Sequence, residues 1–143
     1  MTEKATALDW LARQRVARLA TADLQGEPHV IPVCFALSGD QGAVYVTIDQ
    51  KPKTGRRPLK RIRNIMENPQ AGLVADYYDE DWSQLGWVMI RGSVDLLRRG
   101  AEHRGAQTLL SWKYEQYQAM ELAHLPVIAL RIRRLTWWGR LDG

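Results

Sequence analysis

Apolar residues recur at helical spacing over the first fifteen positions, where Ala5, Leu8, Leu11 and Ala12 share one face and predict an amphipathic helix over 3–15. The pattern then changes. Short apolar runs over 16–21, 28–37 and 44–48 read as strands, separated by the turn segments Asp23-Leu24-Gln25-Gly26 and Ser38-Gly39-Asp40-Gln41-Gly42. Connections this short admit only antiparallel neighbours. Pro28 and Pro32 cannot donate to a ladder, so the second of these strands is expected at a sheet edge or with a bulge. Asn64-Ile65-Met66-Glu67-Asn68-Pro69 closes a second helix, because the residue before a proline is driven out of the α region. Strands over 71–78 and 87–96 follow. A long helix over 101–122 comes next, with Leu109, Trp112, Tyr117 and Met120 as its apolar contacts, and a last strand covers 126–135. Six strands, mostly consecutive, with three flanking helices predict a mainly β chain built as a small six-stranded antiparallel barrel.

Length and composition narrow the class. At 143 residues the chain is expected to form one domain over 1–143, and 45% hydrophobic with 25% charged residues is the balance of a globular protein. No apolar run approaches the roughly 20 residues that span a bilayer. Met1-Thr2-Glu3-Lys4 opens a mixed-charge segment without a signal-peptide core, so a cytoplasmic protein without a membrane partner is expected. Cys34, the only cysteine, excludes an internal disulfide, gives no sign of a metal cluster and reads as a buried packing residue.

Charge is where the sequence first points to chemistry. Seven of the thirteen residues from 51 to 63 are Lys or Arg and none is acidic, whereas Asp76-Tyr77-Tyr78-Asp79-Glu80-Asp81 forms an acidic patch. A cationic segment between a strand and a helix start is a place where proteins hold phosphate. Pro58 suits the first helical position, and Arg57 before it lacks a short acceptor for the free N–H groups, a role a bound phosphate fills. Arg56, Arg57, Lys60 and Arg61 are close enough in sequence to converge on one anion. A solvated cationic loop, or one that meets an acidic patch on a partner subunit, is the alternative. Nucleic acid is set aside, since the cations form one cluster rather than a stripe and no recognised binding motif accompanies them.

Pro28-His29-Val30-Ile31-Pro32-Val33, Val44-Tyr45-Val46-Thr47, the basic helix and its Asn68-Pro69 end occur in an order that resembles the pyridoxamine 5′-phosphate oxidase-like split β-barrel superfamily of flavin- and deazaflavin-binding proteins. Tyr78-Asp79-Glu80-Asp81-Trp82-Ser83 followed by Trp87-Val88 resembles an actinobacterial-type branch described as using the deazaflavin coenzyme F-420. The resemblance covers about 15–138. It implies a six-stranded split barrel that works as a homodimer, with cofactor clefts between subunits. It further implies that the strand with His29, Ile31, Pro32 and Val33 runs beside the flavin ring, while Val46, Thr47 and the basic helix start hold the phosphate. Arg61 falls where the family has a phosphate-binding Lys or Arg, with Lys60 and Arg57 as assistants and Lys51 and Lys53 on a longer loop. Trp82, Trp87, Trp137 and Trp138 would wall the ring from the partner subunit.

Several expectations follow from setting residues and resemblance side by side. The sequence stops at Gly143, just past the last strand, without the extension that binds the vitamin in pyridoxamine phosphate oxidases, so the resemblance implies the cofactor site rather than that reaction. Seven clustered cations exceed what the single phosphate of FMN needs, and the anionic tail of coenzyme F-420 would use the surplus; the deazaflavin is favoured over FMN. Hydride transfer to an unidentified small-molecule acceptor is the expected chemistry, carried by the cofactor. No catalytic side chain is assigned, and a protein that binds cofactor without turnover stays open. His29 is the histidine near the implied ring site, either a hydrogen-bond or proton donor or a packing residue; His103 and His124 read as surface residues. Trp112 reads as core, and Tyr77 and Tyr78 as cross-strand packing.

Overall fold

A computed structural model of the chain describes residues 3–48 and 59–142. Helix α1 (Glu3–Arg13) leads into strands β1 (Ala17–Ala22), β2 (Pro28–Val33), β3 (Ala36–Leu37) and β4 (Ala43–Thr47). Helix α2 (Lys60–Glu67), strand β5 (Gln70–Tyr77), a 3-10 turn at Trp82–Gln84 and the long strand β6 (Gly86–Leu97) follow. Helices α3 (Ala101–Lys113) and α4 (Glu115–Gln118) precede the last strand, β7 (Val127–Gly139). The strands form one antiparallel seven-stranded sheet in the order β2-β1-β5-β6-β7-β4-β3.

The expected strand over 28–37 is two strands. β2 and β3 lie at opposite ends of the sheet order, yet only Cys34 and Phe35 separate them in sequence. Seven strands laid flat would put those edges about 29 Å apart, and a link this short reaches only about 10 Å. The sheet therefore has to curl until its edges meet, which makes the split barrel. Phe35, fully buried, is the corner. The Tyr114 hydroxyl holds it by accepting from the Phe35 N–H at 3.0 Å, and its own proton faces the carbonyls of Phe35 (3.0 Å) and Arg15 (2.9 Å). The two prolines of β2 do sit at an edge, with β1 as that strand's sheet neighbour.

Tyr114 also explains why the helix expected over 101–122 breaks. Its backbone is extended (φ −121°, ψ 111°), so α3 stops at Lys113 and one further turn, α4, follows. The buried face of α3 is His103, Ala106, Gln107 and Leu110. Trp112 is 78% exposed and is no core residue, and Met120 is also exposed. His103, read from sequence as a surface residue, is only 3% exposed and hydrogen-bonds through Nε2 to the Leu125 carbonyl at 2.7 Å.

β4 is buried on both faces. Val44 and Val46 join the main core with Leu11, Leu19, Phe35, Leu73 and Ile90, while Ala43 and Tyr45 face a second cluster built on Leu110, Tyr114 and Tyr117. The Tyr45 hydroxyl donates to Glu102 at 2.7 Å, and Arg131 donates to the same carboxylate at 2.8 Å, which ties the start of α3 to β4 and β7. The Arg131 guanidinium foremost, then Tyr45, holds the Glu102 carboxyl at about 2. β6 and β7 pair along their full lengths, with one register shift at Arg91/Gly92. A Cβ on Gly92 would lie 1.7 Å from the Arg131 carbonyl oxygen, so this crossing admits glycine alone.

Candidate functional site

A cleft of about 370 Å³ opens between β2, β4 and the start of α2. Ile31, Pro32 and Val33 form one wall, Val46 and Thr47 the floor, and Arg61 the cationic end. Val16, Cys34 and Tyr117 complete the lining. Nothing in the sequence marked these three for a site. Cys34 is half-buried and borders the cleft, where the sequence reading made it a packing residue.

Helix α2 is pinned along its length to the β1–β2 turn. Lys60 Nζ lies 3.6 Å from Asp23 Oδ2, the Asn64 amide donates to Thr21 Oγ1 at 3.0 Å, and Glu67 accepts from the Leu24 N–H at 3.3 Å. Ile62 and Ile65 bury the opposite face in the core. Asp23 is itself organised by the backbone. Its carboxyl is held below the ordinary range chiefly by the Glu27 N–H, with the Gln25 N–H and the Lys60 charge adding to it against burial. Lys60 is thus engaged with Asp23, and Arg61 is the α2 cation that lines the cleft.

The helix starts at Lys60, two residues later than Pro58 would have placed it, with Leu59 as N-cap. The physical deficiency expected of Arg57 passes to Leu59: among the described residues no side chain caps this end, and the Ile62 and Arg63 N–H groups both return to the Leu59 carbonyl at 3.0 Å. Lys51, Lys53, Arg56 and Arg57 fall outside the described residues. His29 stands opposite Thr21 on β2, with a buried Nδ1 that has no hydrogen-bond partner among the described residues. Burial first, then the charges of Arg61 and Lys60, push its pKa below the ordinary value, so the imidazole is neutral at pH 7.

The tryptophans lie elsewhere on the chain. Trp82 and Trp138, 70% and 53% exposed, border a second, wider cleft of about 700 Å³ with Trp137, Leu85 and Arg140. Trp87 pairs with Trp138 across β6 and β7. Tyr77 and Tyr78 are exposed beside them rather than packed across strands. Within one chain, therefore, Ile31, Pro32, Val33, Val46, Thr47 and Arg61 meet in one cleft, His29 is not part of its lining though it feels the charges of Arg61 and Lys60, and Trp82, Trp87 and Trp138 do not join them. Among the described residues no cluster of His, Cys, Asp or Glu is arranged to hold a metal, and no helix is long and apolar enough to cross a membrane.

The sequence profile of the family described as pyridoxamine 5′-phosphate oxidase matches residues 2–139. The chain belongs to that family. A curated relative, the 5a,11a-dehydrotetracycline/5a,11a-dehydrooxytetracycline reductase of Streptomyces rimosus, is 28% identical over 98 residues, 68% of this chain and 66% of the relative. Among solved structures, a heme binding protein from Mycobacterium smegmatis superposes with a TM-score of 0.75 at 22% identity, over 97% of this chain and 55% of that one. A FAD-binding protein from Mesorhizobium loti gives 0.68 at 22% identity, over 95% and 92%. At these identities the structural likeness concerns the fold, and it places the curled seven-stranded sheet in the split-barrel family expected from sequence, with one strand more than the six counted there.

Proposed function

We propose that this chain is an oxidoreductase that holds a flavin-type cofactor in the cleft between β2, β4 and α2, and that the cofactor is the deazaflavin coenzyme F-420. One observation carries the reading: residues from three separate segments, each assigned to the cofactor on sequence resemblance, line a single cleft. The start of α2 and the Nδ1 of His29, neither with a side-chain partner among the described residues, are groups that a phosphate and a ring-edge polar atom would satisfy. The named activity of the Streptomyces relative supports reduction of a small-molecule acceptor.

When bound, the reduced cofactor supplies a hydride. The chain's own residues do the rest. Ile31, Val33 and Val46 exclude water from one face of the ring. Arg61 and the α2 dipole would hold the phosphate. His29, neutral, offers a hydrogen bond at the ring edge without adding a third cation beside Arg61 and Lys60. A second copy of the chain would bring Trp82, Trp87 and Trp138 over the open side of the cleft, making the active unit a homodimer.

FMN is the second reading, and Lys60 favours it: with that cation engaged by Asp23, Arg61 and the helix start suffice for one phosphate. The FAD-binding neighbour supports the same flavin alternative. Parallel titrations of apo-protein with coenzyme F-420 and with FMN, read by tryptophan quenching at two salt concentrations, separate the two. Tight, salt-sensitive binding of the deazaflavin with weak FMN binding supports the first reading. The reverse preference moves the protein to FMN, and binding of neither overturns both.

A further inference from the structure

Gln107 projects from α3 toward the end of β4 and is 7% exposed. Its Nε2 lies 2.9 Å from the Leu122 carbonyl, 3.2 Å from the Leu125 carbonyl and 3.0 Å from Thr47 Oγ1. Two of these three neighbours can only accept. The amide group facing them is therefore the NH₂, since the flipped amide would set its oxygen against two carbonyl oxygens. His103, one turn earlier on α3, places a ring nitrogen 2.7 Å from the same Leu125 carbonyl, so that nitrogen also carries a proton. The two side chains lock the segment that returns to β7, and that segment in turn accepts the Ile48 N–H at Pro126, 2.9 Å away, at the end of β4.

The consequence falls on Thr47. An NH₂ group only donates, with two protons shared among these three acceptors, so Thr47 Oγ1 can only accept from Gln107. A hydroxyl has one proton, and among the described residues no acceptor takes it from Thr47. Thr47 is buried against the protein but lines the cofactor cleft. We infer that Gln107 is a positioning residue: by occupying the acceptor side of the Thr47 hydroxyl it commits that hydroxyl to donate into the cleft. The cleft then presents a fixed neutral donor on the same lining as the Arg61 cation, specific for an acceptor oxygen of the ligand such as a phosphoryl or carbonyl oxygen. A ligand that offers a donor at that point finds no acceptor. This rests on the flavin-type reading of the cleft and adds a residue that lines no part of it.

A double-mutant cycle on ligand affinity tests the inference, using Thr47→Val, Gln107→Met and the double variant, titrated with coenzyme F-420 and FMN by tryptophan quenching. Thr47→Val is expected to weaken binding on the order of tenfold, as loss of one hydrogen bond to the ligand does. Gln107→Met is expected to weaken it about threefold or more in the wild-type background and to have no further effect once Thr47 is Val. An equal loss from Gln107→Met in both backgrounds would mean that Gln107 merely anchors the loop, and the inference falls while the cofactor site stands. If wild type binds neither cofactor, the reading of the cleft falls first. Should Gln107→Met not fold, NMR of the wild type decides. Slowly exchanging Gln107 side-chain NH₂ protons with a cross-peak to the Thr47 side chain, and a Thr47 shift on cofactor addition, are expected; rapid exchange of those protons overturns the inference.

Discussion

The two clefts of this molecule are built in opposite ways. The β2–β4–α2 cleft is narrow, floored by a strand buried on both faces, and its helix is tied down by Asp23, Thr21 and Leu24. The tryptophan cleft is nearly twice as large, and most of its polar ties are local: Asp81 accepts from the Ser83 N–H and hydroxyl and Tyr77 donates to Asp79, while Arg140, donating to Gln84, is the tie that spans distant positions. One region draws its lining together from separate segments of one chain. The other leaves Tyr77, Tyr78, Trp82 and Trp138 exposed on one end of the barrel, an apolar display of the kind that marks an interaction surface. The cofactor site proposed above draws on both regions, and on that reading it would take two chains.

The largest effect should come from breaking what the two regions share. Gly92→Ala sets a Cβ into the Arg131 carbonyl where β6 crosses β7, and should cost about 3 kcal/mol or more, seen as a large fall in Tm with loss of cofactor binding. Arg61→Ala acts on the enclosed region alone. It should weaken cofactor binding by about 1.5–3 kcal/mol in titration while leaving the fold intact; unchanged affinity would remove Arg61 from the site. Trp82→Ala acts on the open region alone. Its effect on monomer stability in denaturant should stay within about 0.5 kcal/mol because the side chain is exposed, while sedimentation should show a weaker dimer. A wild type that sediments as a 16.4 kDa species at every concentration would sink the two-chain site altogether.

Smaller effects are read by pH, on the side of the enclosed cleft. The Lys113 ammonium is buried over the Phe35 ring, 3.9 Å from its centroid, and burial lowers its pKa to about 8. The unfolded chain binds the proton more tightly up to about 10.5, so the wild type should gain stability as pH rises from 8 to 10.5, and Lys113→Met should lack that rise. His29 works at the acid end. Its folded pKa is depressed, so the unfolded state takes up the proton first and stability should fall as pH drops below 6.5, a loss that His29→Gln removes in pH-dependent melts.

What the sequence made legible follows local chemistry. Pro28 and Pro32 placed β2 at an edge because a missing N–H is visible in one residue. The split at Cys34 was not visible, since 28–37 is a continuous apolar run and the corner is made by a tyrosine 79 positions away. The end of α3 escaped for the same reason: neither glycine nor proline marks it, and Tyr114 leaves the helix to reach Phe35. Apolar character also misled at Trp112, while His103 and Gln107, both polar, went inside because carbonyls at 122 and 125 await them. In the cleft, Arg61, Thr47 and the β2 wall were legible through resemblance. Gln107 was not, because its role depends on which atom of a distant amide faces a hydroxyl.

The excursion that carries Gln107 leaves the β6–β7 ribbon after Leu97 and rejoins it at Val127, and those two residues pair with each other. Its ends are fixed by the ribbon, so the cost of lengthening, shortening or exchanging it grows only slowly with its size. On the proposed reading, the barrel would keep its β2 wall while a different insert of this kind reset the Thr47 hydroxyl, so ligand preference would be adjustable without rebuilding the sheet.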